Sequence, residues 1–489
     1  MKKFYITTTL PYVNAEPHIG FALEIIQADV IARYYRSLGY KVFFNTGTDE
    51  HGLKVFRGAQ KDKLEPQAYC DAYTKKYNNL KKALNLSYNS FIRTTDLHHK
   101  KAAQEFWLRC YENGDIYKKD YKIKYCVGCE LEKTESELKQ GKCPIHPNQN
   151  LEIIQEENYF FRYSKYKDKL LKIYQKNPNF VIPKSRFNEI KEFTKQGLKD
   201  FSISRLKEKM PWGVSVPDDN KHVMFVWFDA LINYISSLDW PDDLKNFNDF
   251  WPGLQVAGKD NLRQQSSMWQ AMLLSAGLPI SKQIFIHGFI TVDEKKMSKS
   301  LGNVINPFEL VEKYGTDSVR YYLLREIPST EDGDFTYEKF EARHNSDLAG
   351  GIGNLLARVC SMAEKLKTPA FAKATAGKQN LKIKKQIKET EQKYKKALEE
   401  FKFNLALASI WELVSYCDRY IEKEKPWQGE KNSGQVLSDL LYILENIAEM
   451  LKPFLPETSE RILGEIERDG KTGKFKNKRG KLLFPKIGS

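Results

Sequence analysis

The sequence predicts a mixed α/β fold, in which a doubly wound parallel sheet is interrupted by an insertion and followed by an α-helical bundle. Three observations support this prediction. A strand, a helix and a second strand follow one another at the start of the chain. A polar, cysteine-bearing stretch breaks this alternation from about residue 115, after which strands and helices resume. Beyond about residue 340 strand-like runs almost vanish, and amphipathic helical patterns take their place.

The first elements predict a βαβ unit. "FYITTTL" is typical of a strand, and "KVFFNTG" of a second one. Gly39 provides a stop for the helix between them. The apolar residues that recur at helical spacing in this helix are Leu23, Ile26, Val30, Tyr34 and Leu38. Because parallel strands need a crossover connection, usually a helix, this order favours a parallel sheet.

The segment from about residue 115 to 150 is short, polar and rich in cysteine. These features are typical of an insertion that is stabilised by its own internal cross-link through cysteines. The α/β pattern returns in "HVMFVWFDALINYISSL", "LQVAGKDNL" and "QIFIHGFITVD". We therefore expect a sheet that is interrupted and later completed. The expected domains are 1–114 and 226–340 for the two halves of the sheet domain, 115–225 for the insertion, with a knuckle at about 121–150, and 341–489 for the helical domain.

The last part of the chain predicts an antiparallel helix bundle, because "GGIGNLLARVCSMAEKL" opens a series of amphipathic runs separated by breaks. "TPAFAKATAGKQN" is expected to be a loop between two of these helices. The stretch from Lys471 to Ser489 carries seven basic residues and no acidic ones. It could be a disordered basic arm, but the apolar content of "KLLFPKI" favours packing on the bundle.

Length, hydropathy and charge limit the possible functions. The 489 residues are too many for one compact core, so we expect several domains. No apolar run approaches the roughly 20 residues that cross a bilayer, and "MKKFYITTTLPYV" is a poor signal peptide, which predicts a cytoplasmic protein. The net charge of +15 favours a polyanionic partner such as nucleic acid, although many lysine-rich proteins have none.

Three of the seven cysteines are clustered with a histidine. Cys126 and Cys129 form a CxxC pair, and Cys143 and His146 form a matching CxxH pair. Four such ligands make the closed tetrahedral site of a structural zinc ion, with no open position for catalysis. The alternative is three buried cysteines and an unrelated histidine, which the paired spacing disfavours.

"PHIGF" lies where the first predicted strand passes into the first helix. The free N–H groups and the positive dipole end of a helix N-terminus attract phosphate. Gly20 lets the backbone approach a ligand closely, and His18 can donate to a phosphate oxygen. Alone this signal is weak, and a tight structural turn is the better interpretation of it.

"DEKKMSKSLGNVI" places lysines and serines together in a glycine-flanked loop after a late strand. Charge runs are usually solvated surface. Hydroxyls interleaved with lysines, however, suit a mobile clamp on a polyphosphate, where a leaving pyrophosphate develops negative charge. The residues concerned are Lys295, Lys296, Ser298, Lys299 and Ser300.

Taken together, "HIG" and "KMSKS" resemble the paired signatures of class I aminoacyl-tRNA synthetases. "TTTLPYVNAEPHIGFALE", "GTDEHG", "GLKDFSISR" and "MFVWFDALINY" narrow the resemblance to the methionyl-tRNA synthetase family, over nearly the whole chain. The resemblance implies a Rossmann-type catalytic domain, a zinc knuckle in the connective insertion, a stem-contact region after the KMSKS loop and a helical anticodon-binding domain. It also implies a ligase that activates L-methionine with ATP and transfers it to tRNA(Met).

The resemblance assigns the nucleotide chemistry to the two loops. The expected catalytic residues are His18 and Gly20, which hold ATP phosphates, with Lys296 and Lys299, which stabilise the transition state and pyrophosphate. Mg²⁺ is implied as the companion of ATP. The residues expected to line the rest of the ATP site are Pro17, Phe21, His287, Gly288 and Ser298.

Methionine is distinguished by a soft thioether, so its pocket needs aromatic groups and a few polar contacts. By resemblance Asp49 holds the α-ammonium group. A buried strand and helix start would explain "FVWFDAL" equally well without any ligand. The other residues that the resemblance assigns to this pocket are Leu10, Tyr12, Trp227, Ala230, Leu231, Tyr234, Gln265 and Trp269.

Three residues of the helical domain are assigned to the tRNA anticodon. Asn354 and Arg358 are four positions apart and share one helix face, and Trp427 follows Pro426 at a helix end. Sequence-specific RNA recognition uses loop bases stacked on aromatic rings and bonded along their edges. In the family such a trio reads the CAU anticodon, whereas core packing is the alternative for Trp427 alone.

Two departures from the family pattern leave alternatives open. Phe21 stands where many relatives have a second histidine, and Gln265 where many have a histidine beside the methionine side chain. A catalytically impaired tRNA-binding paralogue is therefore one alternative, and another adenylating synthetase or nucleotidyltransferase is a second. Because the chain ends just past the bundle, without the dimerising module of longer relatives, we expect a monomer.

Overall fold

The structure is a computed structural model that describes residues 1–129, 131–133, 137–297, 302–365, 381–429, 432–466 and 480–488. The chain folds into two compact units. The first comprises Met1–Pro17, Tyr35–Lys81 and Ser87–His287. The second comprises His18–Tyr34, Lys82–Leu86 and Gly288–Ser489.

The strands are numbered along the chain. They are β1 Lys3–Thr8, β2 Lys41–Thr48, β3 Ser90–Arg93, β4 Ile116–Cys126, β5 Leu131–Lys133, β6 Glu152–Phe161, β7 Val181–Ile182, β8 Phe201–Ser202, β9 Ser204–Leu206, β10 Ser215–Val216, β11 Asp219–Met224, β12 Leu254–Gly258, β13 Gln283–His287, β14 Ile290–Val292, β15 Lys295–Lys296 and β16 Gly333–Phe335.

The α-helices are numbered in the same way. They are α1 Ile19–Ser37, α2 Leu53–Lys61, α3 Pro66–Ala83, α4 Leu97–Glu112, α5 Lys167–Lys176, α6 Lys184–Gln196, α7 Val226–Ala230, α8 Asn233–Ser236, α9 Leu244–Phe250, α10 Trp269–Ser275, α11 Pro307–Tyr314, α12 Thr316–Arg325, α13 Tyr337–Arg343, α14 Asn354–Lys365, α15 Leu381–Glu399, α16 Phe403–Glu424, α17 Ser433–Leu451 and α18 Pro456–Glu465.

The first unit is built on a six-stranded sheet of order β3-β2-β1-β12-β13-β7. Every neighbouring pair is parallel, with Ile6 opposite Phe44 on one side and Leu254 on the other. The chain therefore changes direction across the sheet between β1 and β12. In open parallel sheets, ligands bind in the crevice outside the carboxyl ends of the strands at such a switch point.

The core of the first unit is rich in aromatic residues. Trp107, Trp240 and Trp269 are almost completely buried within one cluster. Phe106 stacks on Trp269, with ring centroids 5.6 Å apart. Large rings of this kind contribute much of the buried apolar area of a core, so they hold α4, α10 and the sheet in a fixed relation.

Between residues 115 and 225, β7 joins the parallel sheet beside β13, and the other strands form separate antiparallel sheets. β4 pairs with β6 along its whole length and with β5 at its far end, and β8 completes this sheet. A second small sheet has the order β10-β11-β9. This agrees with the expected interruption of the parallel sheet by a cysteine-bearing segment.

Arg320 on α12 has no solvent exposure and connects several segments of the second unit through its guanidinium group. Its Nη2 lies 2.8 Å from an Asp29 carboxylate oxygen on α1. Its Nε and Nη1 donate to the carbonyl oxygens of Phe454, at 2.7 Å, and Leu84, at 3.0 Å. One buried guanidinium thus joins α1, α12 and the segments that follow α3 and α17, because its five N–H groups each need a partner.

The helical part of the second unit contains no strand among its described residues after 340. α15, α16, α17 and α18 pack successively along the chain. The terminal segment packs on this unit as well, since Asn345 exchanges two hydrogen bonds with the backbone of Ile487, at 2.8 and 3.0 Å. This confirms the predicted docking of "KLLFPKI", whereas the expected loop at 368–380 lies outside the described residues.

The observed architecture confirms the predicted fold class, with a parallel sheet, an inserted segment and a helical C-terminal part. The three expected boundaries between the four segments remain a prediction. Within the described ranges, no helix has the length and apolar character that crossing a membrane requires.

Candidate functional sites

The "PHIG" turn opens α1 in the second unit. The backbone N–H of Ile19 donates to the carbonyl oxygen of Ile305, at 3.1 Å. A Cβ added to Gly20 would lie 2.9 Å from the His18 ring and 3.5 Å from Cε of Met297. Glycine is therefore needed here, and the turn lies beside both ends of the segment that contains the predicted lysine clamp.

His18 has a defined tautomer. The backbone N–H of Gly20 donates to Nδ1 of the imidazole at 3.1 Å, and burial lowers the pKa of His18. A neutral ring that accepts at Nδ1 carries its proton on Nε2. The side chain can therefore donate from Nε2 to a phosphate oxygen, as the sequence suggested.

Lys295 and Lys296 form β15, which pairs with β14 in a hairpin. Lys296 is exposed, and its Nζ lies 5.8 Å from the centroid of the Phe289 ring. The amide of Asn303 donates to the Lys296 carbonyl at 3.3 Å, so the two ends of the loop are joined. The predicted residues Ser298, Lys299 and Ser300 lie outside the described residues.

Asp49 follows β2 and is held against the segment that follows β1. Its N–H donates to the carbonyl of Pro11 at 3.0 Å, and its carbonyl accepts from Val13 at 3.3 Å. A backbone bridge therefore sets Asp49 beside Tyr12, and only 2% of Asp49 is exposed. Lys54 extends over the Tyr12 ring, with Nζ 5.0 Å from its centroid. A buried carboxylate at the sheet's carboxyl edge suits an ammonium ligand.

Glu50 anchors this segment from the other side. Arg93 donates to both of its carboxylate oxygens, at 2.7 and 2.9 Å, and Thr74 donates to it at 2.7 Å. Burial alone would raise the pKa of Glu50, but the hydrogen bonds from Arg93 and neighbouring threonines lower it. Glu50 is therefore an ionised structural anchor, which leaves Asp49 as the binding group in "GTDEHG".

A buried His–Asp–His cluster connects two of the predicted methionine-site segments. Asp229 accepts from Nδ1 of His51 at 2.6 Å and from Nε2 of His99 at 2.9 Å. None of the Asp229 surface is exposed. Burial disfavours its ionisation, yet the charge and hydrogen bonds of both histidines lower the pKa of Asp229 overall. The cluster therefore ties the "GTDEHG" segment to α7.

The remaining predicted methionine residues lie on or next to α7, α8 and α10, except Leu10, which follows β1. Tyr234 and Trp269 are buried edge to face, with centroids 5.9 Å apart. Gln265 donates from Nε2 to the Tyr234 hydroxyl at 2.6 Å. The indole N–H groups of Trp227 and Trp269 are buried without a hydrogen-bond partner in the part of the chain that the structure describes. Ala230 and Leu231 are buried, and Leu10 is half-buried.

The predicted ATP residues are divided between the two units. Pro17 and His287, the last residue of β13, belong to the first unit. Gly288 belongs to the second, and a Cβ there would lie 2.1 Å from the Glu331 carbonyl oxygen, so only glycine fits. Phe21 lies in the first turn of α1 and is half-buried.

The predicted metal ligands converge. The ligand atoms of Cys126, Cys129, Cys143 and His146 all lie within 4.8 Å of one another. The Cys129 and Cys143 sulfurs are 3.5 Å apart, and Nδ1 of His146 is 3.2 Å from the Cys129 sulfur. Tetrahedral zinc with Zn–S bonds of about 2.3 Å separates its ligands by about 3.7 Å, so the four groups fit this ion. The cluster can hold a metal ion.

The predicted anticodon residues lie on the helical part of the second unit. Asn354 is exposed at the start of α14, and Trp427, just after α16, is 49% exposed. Arg358 donates from Nη2 to Glu422 at 2.6 Å. This ion pair ties α14 to the end of α16, five residues before Trp427. An exposed tryptophan rules out the core-packing alternative for this residue.

Several residues near these sites were not predicted from the sequence. Asp229 gave a usable signal, since a lone acid in an apolar run must be paired when buried. His99, Gln255, Gln270 and Ser281 gave none, because they belong to no motif and sequence does not show which polar groups meet. Only the folded chain shows which buried polar groups meet.

Comparisons with known proteins give matches along nearly the whole chain. The family described as tRNA synthetases class I (M) matches residues 4–152 and 132–360, and the anticodon-binding domain of tRNA ligases matches residues 380–479. The methionine–tRNA ligase of Thermotoga maritima is 44% identical over 96% of this chain and 76% of its own length. That of Thermosynechococcus vestitus is 43% identical over 95% of this chain and 90% of its own.

A solved structure also matches. Methionyl-tRNA synthetase of Mycobacterium tuberculosis, in complex with methionyl-adenylate, superposes with a TM-score of 0.92 and 35% identity. The match covers 99% of this chain and 100% of that one.

Proposed function

The chain belongs to the methionine family of class I tRNA synthetases, and from this premise we propose that it activates L-methionine with ATP and transfers the methionyl group to tRNA(Met). One contact in the second unit supports the assignment most directly. The hydrogen bond between Ile19 and Ile305 sets the His18 turn beside the lysine-bearing segment. These are the two motifs that the reaction requires together.

In the first step the methionine carboxylate attacks the α-phosphate of ATP, and pyrophosphate leaves. The carboxylate is already a nucleophile, so no general base is needed, and catalysis depends on positioning and charge stabilisation. His18 donates from Nε2 to a phosphate oxygen, and Lys296 with Lys299 neutralises the charge that develops on the leaving group. In the second step a terminal ribose hydroxyl of the tRNA attacks the adenylate.

The amino acid is recognised by groups of the first unit. Asp49 pairs with the α-ammonium, and its backbone bridge to Tyr12 holds the two residues side by side. The indole rings of Trp227 and Trp269 and the phenol of Tyr234 surround the thioether. Buried aromatic groups around a soft sulfur are the favourable environment for methionine.

The proposal extends to cofactors, partners and location. A structural zinc ion is held by Cys126, Cys129, Cys143 and His146, and the ligand separations support this choice. Mg²⁺ accompanies ATP, and the CAU anticodon is read by Asn354, Arg358 and Trp427. The protein acts as a monomer in the cytoplasm.

A test uses neighbouring lysines in methionine-dependent ATP–pyrophosphate exchange. Lys296→Ala should lower kcat by about 10²–10³-fold, the usual loss when one transition-state donor is removed. Lys295→Ala is the comparison variant: this lysine belongs to the same run but is not among the residues that the family resemblance assigns to catalysis. It should have a smaller effect, because adjacent strand residues point to opposite faces. No exchange in the wild-type protein, with tRNA binding retained, would favour the impaired paralogue instead.

A further inference from the structure

We propose that Asp334 is a positioning residue for Lys296: its carboxylate holds the turn of the β14–β15 hairpin and so fixes the backbone from which the Lys296 ammonium reaches the leaving pyrophosphate. This rests on the proposed function, because Lys296 acts in the same activation step. The hairpin and β16, which carries Asp334, belong entirely to the second unit.

The turn of this hairpin has an unfavourable backbone conformation. Val292 pairs with Lys295, so only Asp293 and Glu294 connect the two strands. Both residues are left-handed, with φ of 50° and 61°. Two-residue turns of this type favour Asn-Gly or Asp-Gly, because a Cβ crowds the backbone in the left-handed region. A glutamate at the second position therefore needs support from outside the turn.

The Asp334 carboxylate supplies this support. Its Oδ1 accepts from the backbone N–H of Glu294 at 2.7 Å and from the Thr291 hydroxyl at 2.8 Å. Thr291 is the residue paired with Lys296 across the hairpin. One oxygen atom thus holds both the turn and the strand opposite the lysine, which fixes the register of Lys296.

The carboxylate is ionised, which strengthens these bonds. Burial alone would raise the pKa of Asp334, but the hydrogen bonds from the Glu294 N–H, Thr291 and Lys339 lower it overall. The Lys339 ammonium lies 3.2 Å from Oδ2, on the side away from the turn contact. An ionised carboxylate can only accept, and its hydrogen bonds are about twice as strong as those between neutral groups.

β16 gives the carboxylate a firm base. Phe335, the residue after Asp334, is fully buried, and the rings of Tyr322 and Phe340 pack against it with centroids 5.4 and 6.2 Å away. Lys296, in contrast, is exposed. The buried cluster therefore reaches the exposed lysine through the Asp334 carboxylate.

Such a restraint matters for catalysis because charge stabilisation depends on position. A displacement of about 1 Å at a catalytic group can cost about a hundredfold in rate. A lysine side chain is long and flexible, so a fixed backbone limits the positions that its ammonium explores. The hairpin turn is thus part of what prepares the site for the transition state.

The first test measures methionine-dependent ATP–pyrophosphate exchange in Asp334→Ala. The kcat should fall by about tenfold to a hundredfold. The KM for methionine should stay unchanged, because the residues proposed to bind the amino acid belong to the first unit. Lys339→Met is the matched control: it removes the half-exposed ion pair but neither bond to Oδ1, so kcat should stay within about twofold of wild type.

Two double variants separate positioning from general damage to the fold. A turn changed to Asn-Gly, by Asp293→Asn with Glu294→Gly, adopts the left-handed conformation without help from a carboxylate. It should restore most of the kcat that Asp334→Ala loses. In a Lys296→Ala background, Asp334→Ala should add at most about a twofold loss, because both changes then act on one interaction. The full loss in that background, or no recovery with Asn-Gly, would overturn the proposal.

Limited trypsin digestion reports on the hairpin independently of catalysis. Lys295 and Lys296 are exposed, and cleavage after them requires local opening of the strand. Cleavage at both should be faster in Asp334→Ala and should return to the wild-type rate with the Asn-Gly turn. Mass spectrometry of the fragments identifies the cleaved bonds.

Asp334→Asn serves if the alanine variant does not fold. Its amide oxygen still accepts from the Glu294 N–H but carries no charge, so both effects should be present and smaller. A wild type without any exchange would contradict the enzymatic function, while faster cleavage in the variants would keep the turn support. Cleavage at the wild-type rate in both Asp334 variants would refute it.

Discussion

A single backbone hydrogen bond decides the chemistry of His18. The pairing of His18 with the lysine loop and the family resemblance led to the prediction of a phosphate ligand, since the turn alone is a weak signal. They could not show that Gly20 donates to Nδ1 at 3.1 Å and so leaves the proton on Nε2. The same limit applies to Gln265, whose partners Gln255 and Tyr234 approach only in the folded chain.

Asp229→Asn should destabilise the first unit. An amide offers one acceptor where His51 and His99 each donate to the carboxylate, so one buried N–H would face an NH₂ group. Breaking a buried charged hydrogen-bond pair costs about 3–5 kcal/mol. Urea denaturation should show this loss at pH 7, whereas Asp218→Asn, at an exposed turn, should stay within about 0.5 kcal/mol of the wild type.

The loss of stability in Asp229→Asn should depend on pH in one direction. Folding lowers the pKa of Asp229 below its ordinary 3.8. The stability that its ionised form contributes is therefore present above pH 3.8 and is lost as the pH falls through the folded-state value. A difference between wild type and Asp229→Asn that stays constant below pH 3.8 would contradict this account.

At the scale of secondary-structure elements, the spacing of apolar residues predicted the first strands and the helix between them. The first strand, helix and second strand lie where "FYITTTL", the apolar repeat and "KVFFNTG" placed them. The order of the sheet could not be read from the sequence, since pairing of β1 with β12 joins residues nearly 250 positions apart. β7 has two residues, too few for any pattern.

The convergence of the four candidate metal ligands could be predicted from the sequence, because they come from two short motifs. Cys143→Ser should remove the bound ion, since a hydroxyl is a poor ligand for zinc beside two thiolates and an imidazole. Mass spectrometry of the purified protein should show about one zinc per wild-type chain and a clear deficit in the variant.

The matched control is Cys110→Ser, which changes an equally buried thiol outside the cluster. It should lower stability without changing the metal content. Equal zinc content in Cys143→Ser and Cys110→Ser would disprove the site.

Two helices of the second unit meet at a buried carboxylate. Asp317, at the start of α12, accepts from the backbone N–H of Thr458 in α18 at 2.6 Å. Burial raises the pKa of Asp317 to about 6 from its ordinary 3.8. Between these values the folded state holds a proton that the unfolded state has lost, so the free energy of unfolding falls as the pH rises.

Asp317→Asn should remove this dependence, since an amide oxygen still accepts from Thr458 and does not titrate. Each pKa unit is worth about 1.4 kcal/mol, so the variant should be more stable than wild type by about 3 kcal/mol at pH 7. At pH 3.5 the two should be nearly equal. Glu460→Gln changes an exposed residue of α18 and should keep the wild-type dependence of the unfolding free energy on pH. The same pH dependence in all three proteins would refute the prediction.

At the scale of the whole molecule, the predicted residues follow the carboxyl ends of the central strands. Tyr12 comes after β1, Asp49 after β2 and Gln265 after β12, while His287 ends β13. A parallel sheet collects such residues at one edge, which is why a few motifs are enough to propose an amino-acid pocket there. The described part of the predicted lysine loop and the residues predicted to read the anticodon belong to the second unit.

Trp427→Ala should separate charging of tRNA from activation of methionine. The exposed indole is available to stack on a base, and such stacking contributes about 1–3 kcal/mol. Aminoacylation should therefore lose about tenfold to a hundredfold in kcat/KM for tRNA(Met), while methionine-dependent pyrophosphate exchange keeps its wild-type rate. Tyr111→Ala removes a similarly exposed ring from α4 of the first unit and should change neither reaction.

A transcript whose CAU is mutated should be charged equally poorly by wild type and by Trp427→Ala, because both have lost the same contact. An additive loss, or a parallel fall in pyrophosphate exchange, would show that Trp427 supports the fold and does not read the anticodon.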